Sequence, residues 1–168
     1  MDSMGSMFGN KTKIAVIGGG IIGTTSAMAI IDSIPNIEIT LISEKFSPNT
    51  TSDGSGGLIF PYIRGNTDPK RFNKWVSDTI KYLNQQFMSP NAGKLGIGLL
   101  SMYILYKEGE EPEQAEDMVR FRDMSPEELK LFGDKWKKGS FVTTYYVESS
   151  KLIPYFLEKF KSKVRHSL

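Results

Sequence analysis

The chain has 168 residues, with 21 basic side chains against 19 acidic ones, no cysteine and a single histidine, His166. The near-balanced charge removes the strong electrostatic case for nucleic acid, and the lack of cysteine excludes disulfides, thiolate chemistry and cysteine-ligated metal. One histidine beside the C-terminal end leaves charge-relay hydrolysis without a base and rules out histidine-ligated metal, so no metal site is expected.

Residues 1–11 read as a disordered tail lacking the apolar stretch of a signal peptide. The segment Ile14–Ile31 then runs 18 residues without a charge, long enough to raise the question of a membrane helix. Three consecutive glycines and Thr24-Thr25-Ser26 inside it favour a soluble reading, with no membrane partner. Lys13-Ile-Ala-Val-Ile17 has the composition of a strand, the glycines follow at once, and a helix is predicted over Ile21–Ser33. Pro35-Asn36 breaks the chain before an alternating strand over Ile37–Ser43, and Glu44 closes that run.

Gly18, Gly20 and Gly23 fill a G-x-G-x-x-G spacing in the strand–turn–helix context that gives such a spacing meaning. Gly18 serves the tight turn, Gly20 lets backbone approach a pyrophosphate, and Gly23 lets the helix pack close to the strand. Glu44 lies 21 residues after Gly23, near the roughly 20-residue offset at which an acid meets a ribose hydroxyl. The spacing alone leaves FAD and NAD open. An acid at position 44 argues against a 2′-phosphate, and Lys45 beside it pulls the other way.

Lys45–Gly57 is a long polar loop with no helix or strand period, carrying the hydroxyls of Thr50, Thr51 and Ser52 and then Gly54-Ser-Gly-Gly57. Such a loop reads equally as a linker or as a cofactor loop. Lys70–Phe87 places Phe72, Trp75, Val76, Thr79, Ile80, Leu83 and Phe87 near a 3.6-residue period, predicting a helix with that face in the core. Tyr103, Tyr106, Tyr145 and Tyr146 read as strand packing residues with wet tips and are assigned no chemistry; no catalytic residue is named. Glu108–Glu116 is expected to be a solvated acidic loop, Lys135-Trp-Lys-Lys138 a solvated turn, and Ser125 with Pro126 the start of a helix. A strand over Phe141–Thr144 and a helix over Leu152–Lys163 follow, and Val164–Leu168 does not read as a further strand. A two-stranded parallel sheet of this kind would leave its first strand with a bare edge.

Several of these segments, in order, resemble the D-amino-acid oxidase and D-aspartate oxidase family. Glu44–Asp53 with Gly56-Gly-Leu-Ile-Phe-Pro-Tyr62 is similar to its FAD loop, and Ser89-Pro-Asn-Ala92 with Leu95–Ser101 to the approach to its substrate-domain strand. Phe121–Phe132 resembles its FR-x-[LM]-[ST]-x-x-E-L-x-x-F segment, and Phe141–Thr144 with Leu152–Leu157 its return to the FAD domain. The resemblance implies an α/β fold with a Rossmann-like FAD-binding domain, its parallel sheet incomplete here, and the start of an α+β substrate domain. It divides the chain into a βαβ unit with cofactor loop over 12–62, a helix with partial substrate domain over 63–140, and a returning strand and helix over 141–168.

The same resemblance implies FAD as cofactor, with Gly18, Gly19, Gly20, Ile21, Ile22 and Gly23 around the pyrophosphate, Glu44 on the adenosine ribose and Lys45 beside the adenine. Thr50, Thr51 and Ser52 would bond phosphate and ribityl oxygens, Gly57 and Leu58 would lie along the flavin, and Leu58, Phe60 and Tyr62 would approach the substrate. It implies oxidative deamination of a D-amino acid by molecular oxygen, giving keto acid, ammonia and hydrogen peroxide. Tyr62 after the proline points to neutral D-amino acids, with acidic ones as the alternative. Gly54-Ser-Gly-Gly57 departs from the usual Val-Ala-Ala-Gly, implying a looser loop and weaker flavin binding, and Phe60 replaces a polar residue of mammalian relatives. The family's substrate-binding Arg and Tyr residues fall in a half that this sequence does not include, so the chain alone is expected to be inactive. A non-catalytic short isoform or interaction fragment, and an NAD(P)-binding module, are the other readings; the Thr50-Thr51-Ser52 loop argues against the last. Homo- or hetero-oligomers stay open. The location is expected to be cytoplasmic, since Arg165-His-Ser-Leu168 is not the Ser-Lys-Leu address of the peroxisomal relatives.

Overall fold

A computed structural model describes residues 11–61, 65–110 and 118–166, with the side chains of residues 165 and 166 left undescribed. In chain order the elements are β1 (Thr12–Gly19), α1 (Ile21–Ser33), β2 (Ile37–Phe46), a 3₁₀ turn (Thr51–Gly54), α2 (Pro69–Phe87), α3 (Ala92–Leu95), β3 (Ile97–Tyr106), β4 (Arg120–Asp123), α4 (Pro126–Lys130), β5 (Lys138–Val147) and α5 (Ser149–His166). The chain divides into two units, one built from residues up to Ser55 and from Ser149 onward, the other from Gly56–Glu148. No helix among the described residues is long and apolar enough to cross a membrane.

In the first unit β1 and β2 pair in parallel, Ile14 beside Ile39 and Ile17 beside Ile42, and α1 is the crossover between them. Alternation along the two strands sends Ile14, Val16, Ile37, Ile39 and Leu41 to one face. There they pack with Ala27 and Met28 of α1 and Phe156 and Phe160 of α5. An ion pair between Lys163 and Asp32 joins the two helices at their far ends. The opposite face presents Ala15, Ile17, Thr40 and Ile42 to solvent, with Ile17 at 85% exposure. β1 pairs only with β2 among the described strands, so the bare edge expected from the sequence is present.

The second unit is a three-stranded antiparallel sheet in the order β3-β5-β4. Residues 57–59 continue the β4 edge of β5: the Val147 amide donates to the Gly57 carbonyl at 2.8 Å and the Ile59 amide to the Tyr145 carbonyl at 3.0 Å. Thr144, fully buried, adds its hydroxyl to the Ile59 carbonyl at 2.6 Å.

Three expectations need correction here. The apolar stripe of α2 is covered only in part: Leu83 is buried, whereas Trp75 is 55% exposed and Thr79 faces solvent. Helical period marks which residues share a face, but only a packing partner buries that face. Tyr145 is 2% exposed and its hydroxyl donates to Asn84 Oδ1 at 2.9 Å, so its tip is bonded rather than wet, and Tyr106 likewise reaches Ser140 Oγ at 3.3 Å. Tyr145→Phe is expected to cost about 1 kcal/mol, read as a lower urea midpoint with unchanged slope. Lastly, the loop after Glu44 is ordered: β2 continues through Phe46, and the 3₁₀ turn occupies Thr51–Gly54.

Ser125 and Pro126 start α4 as expected, Ser125 and Glu128 forming a capping box. Glu128 also takes a two-pronged bond from Arg122, at 2.6 and 2.7 Å, whose guanidinium lies 4.7 Å from the Phe141 ring centre. The guanidinium, and after it the Ser125 amide, lower the Glu128 carboxyl from 4.5 to about 2. A depressed carboxyl stabilises the fold above its unfolded value and loses that contribution as pH falls through the folded one. The melting-temperature gap between the wild type and Glu128→Gln is therefore expected to be full at pH 7 and to close between about pH 4.5 and pH 2. The Glu108–Glu116 loop opens with a turn in which the Lys107 amide meets Glu110, and its remainder lies outside the described residues. In Lys135–Lys138 only Lys135 lies in a turn, Trp136 and Lys137 follow without regular structure, and Lys138 begins β5.

Candidate cofactor site

The carboxyl ends of β1 and β2 lie side by side, and this is where an open parallel sheet receives its ligands. Gly18 has a φ of +111°, which an L side chain would resist, and so turns the chain out of β1. Gly19 is buried at the end of the strand; a side chain there would meet the Phe46 ring at 2.6 Å and the Lys45 carbonyl at 3.0 Å. Gly20 is the N-cap of α1, with Ile21, Ile22 and Gly23 forming the first turn. A Cβ on Gly23 would sit 1.9 Å from the Gly18 carbonyl oxygen, so the helix approaches the strand as closely as only glycine allows. Thr24, fully buried behind the turn, donates its hydroxyl to the Gly19 carbonyl at 3.3 Å.

The start of α1 has the features of an anion seat. Its leading amides lack partners within the helix by geometry, its N-cap Gly20 offers no side-chain bond, and no acid stands in its first turn. The Ile21 amide donates to Ser52 Oγ at 3.1 Å. A Cβ on Gly20 would lie 2.8 Å from that same oxygen, so a side chain there would push the Ser52 hydroxyl away. Ser52 has one hydroxyl proton, and because its oxygen accepts from Ile21 that proton is left to donate elsewhere. Ile22, 78% exposed, and Ile17 flank the turn. Glu44 and Lys45 extend along the end of β2, both exposed, where a shift in strand register sets Phe46 opposite Gly19.

Thr50 and Thr51 behave differently from Ser52. The Thr50 hydroxyl donates to Asp53 Oδ2 at 2.6 Å, so its proton is committed inside the loop, while Thr51 is exposed at the start of the 3₁₀ turn. In the second unit Gly57 has a φ of +70°, and Leu58 bridges Tyr146 with its own side chain 43% exposed. Phe60 is half-buried, and Tyr62 lies outside the described residues. Sequence reading missed two contributors, Thr24 and Asp53. Thr50 placed three residues before Asp53 is the capping-box spacing that signals such a bonded turn.

A glycine turn between a parallel strand and a helix, with an acid near the end of the next strand, is the arrangement characteristic of dinucleotide-binding folds. Residues 13–164 match the family described as DAO, FAD dependent oxidoreductase, and the chain belongs to that family. It is 31% identical over 155 residues to the human (Homo sapiens) D-aspartate oxidase, covering 90% of this chain and 45% of that protein. It is 34% identical over 150 residues to a D-amino acid oxidase of Dugesia ryukyuensis, covering 88% of this chain and 45% of the relative. The chain thus spans about half the length of the curated relatives that it matches. The fold is similar to the crystal structure of L-proline dehydrogenase from P. horikoshii, with a TM-score of 0.63 at 21% identity over 92% of this chain and 42% of that one.

Proposed function

We propose that this chain provides the dinucleotide-holding part of an FAD-dependent oxidase of D-amino acids. The observation that carries the reading is the start of α1, with a glycine N-cap, meeting Ser52 beside a Gly23 that packs against the Gly18 backbone too closely for a side chain. In this reading the amides of Gly19–Ile22 and the hydroxyl of Ser52 hold the pyrophosphate, Glu44 accepts from a ribose hydroxyl, and Lys45 lies beside the adenine. Thr51 adds a second hydroxyl, and Thr50 acts through the loop it shapes. The family resemblance would further assign Gly57 and Leu58 to the flavin, and Leu58, Phe60 and Tyr62 to the substrate. When bound, FAD supplies the two-electron acceptor that takes a hydride from the substrate α-carbon and passes the electrons to molecular oxygen. The chain's own residues bind and orient; none is assigned a proton transfer.

Neutral D-amino acids are the favoured substrates, on the resemblance carried by Tyr62 after Pro61; acidic ones are the alternative. The chain by itself is proposed to turn over negligibly. Coupled peroxide detection with D-alanine, D-methionine and D-aspartate tests this: the 168-residue chain with added FAD is expected to stay at the blank rate. Flavin-dependent peroxide from any of them would contradict it. A second reading, a non-catalytic module that works through a partner, is favoured by the uncovered sheet face at Ile17 and Ile42.

A further inference from the structure

We propose that Asp53 is a positioning residue for the cofactor loop: its carboxylate folds residues 47–53 into the shape that sets Ser52 on the first amide of α1. The inference rests on the cofactor reading above for its consequence, though not for its geometry. Asp53 is half-buried and gathers three donors, the Ser47 hydroxyl at 2.6 Å on one oxygen and the Thr50 amide at 2.9 Å and Thr50 hydroxyl at 2.6 Å on the other. Its own amide donates to the Thr50 carbonyl at 3.1 Å, and the Ser55 amide donates to the Ser52 carbonyl at 3.2 Å. The Asp53 carbonyl takes the Ser149 hydroxyl at 3.0 Å, tying the turn to the start of α5. Ser52, one residue before Asp53, is therefore held from both sides, and its Oγ meets the Ile21 amide across 31 positions of sequence.

The chemistry of the donors argues for a carboxylate. An ionised carboxylate only accepts, and here every group around it donates. The Ser47 hydroxyl first, and then the Thr50 hydroxyl, hold the carboxyl below its usual range. Asparagine has nearly the same shape, but one of its two terminal atoms would present protons to a donor. The division of labour within the loop follows: Thr50 and Ser47 spend their protons on Asp53, leaving Ser52 as the hydroxyl set to donate to a ligand.

The test compares the full 168-residue wild type with Asp53→Asn, Ser52→Ala and the double variant, by amide hydrogen exchange without ligand and by FAD titration. Asp53→Asn is expected to raise exchange in peptides covering 19–24 and 47–55 on the order of ten-fold, leaving those over β3 and β5 unchanged. It is also expected to weaken FAD binding on the order of ten-fold, whereas the double variant binds no worse than Ser52→Ala. Unchanged exchange in both peptides, or losses that simply add, would overturn the role. If the wild type retains no FAD, the cofactor reading fails, and the exchange result still decides whether Asp53 holds the loop. Should Asp53→Asn not fold, Ser47→Ala, which removes a single donor, is expected to loosen 47–55 by a smaller factor, and no loosening there would overturn the proposal.

Discussion

Gly23→Ala is expected to unfold the glycine-turn unit far enough to lose its ligand site. The added methyl would lie 1.9 Å from the Gly18 carbonyl oxygen and 2.8 Å from its carbon, both of them backbone, so no side-chain rotation relieves the clash. Relief requires α1 to move away from β1, which separates Ala27 and Met28 from Ile37 and Ile39 and draws the Ile21 amide off Ser52. Overpacking of this kind costs about 1–3 kcal/mol in ordinary cores and more against fixed backbone, a large share of the stability of a small domain. Circular-dichroism melts should show a fall of several degrees or more, with FAD affinity lost by a factor on the order of a hundred. A variant with wild-type melting and affinity would contradict the close approach. Gly54→Ala is the matched control: nothing lies within 4 Å of its Cβ, and its expected effect is within about 0.5 kcal/mol.

Gly57→Ala carries the second large expectation, in the other unit. Its backbone is left-handed at a φ of +70°, and a Cβ would lie 2.0 Å from the Val147 carbonyl oxygen. The left-handed conformation costs an alanine about 1–2 kcal/mol, and the clash adds to it. Residues 57–59 should then detach from β5, releasing the bond from the Val147 amide and the bridge between Leu58 and Tyr146. Faster exchange at Val147 and Ile59, with β3 still protected, is the expected signature. Protection equal to wild type at both amides would show that the strand-like edge tolerates a side chain there.

The parts of the fold that were legible in the sequence are those written in short-range pattern. The strand, glycine turn and helix of β1 and α1 follow from a β-rich run, three glycines and a stretch without charge, and α1 spans Ile21–Ser33 as predicted. The extension of β2 through Glu44, Lys45 and Phe46 was not legible, because the pairing of Phe46 with Gly19 is tertiary and those residues have no alternation. The partial cover of α2 illustrates the same limit. Periodicity identified the face of Trp75 and Leu83, but only packing decided that one is exposed and the other buried. In the cofactor loop, residue types announced hydroxyl chemistry, and the structure divided it between Thr50, bonded to Asp53, and Ser52, bonded to Ile21. Such a division depends on which oxygen each proton reaches, which composition does not encode.

The central claim is that the glycine turn, Ser52 and Glu44 form a usable dinucleotide seat within these residues. Titrating the purified chain with FAD, while recording the visible flavin spectrum and tryptophan fluorescence, tests it most directly. The account predicts a perturbed flavin spectrum with retention in the micromolar range, about −8 kcal/mol of binding free energy, and loss of both signals in Gly23→Ala. A soluble, folded chain that leaves the flavin spectrum unchanged at saturating FAD would contradict it.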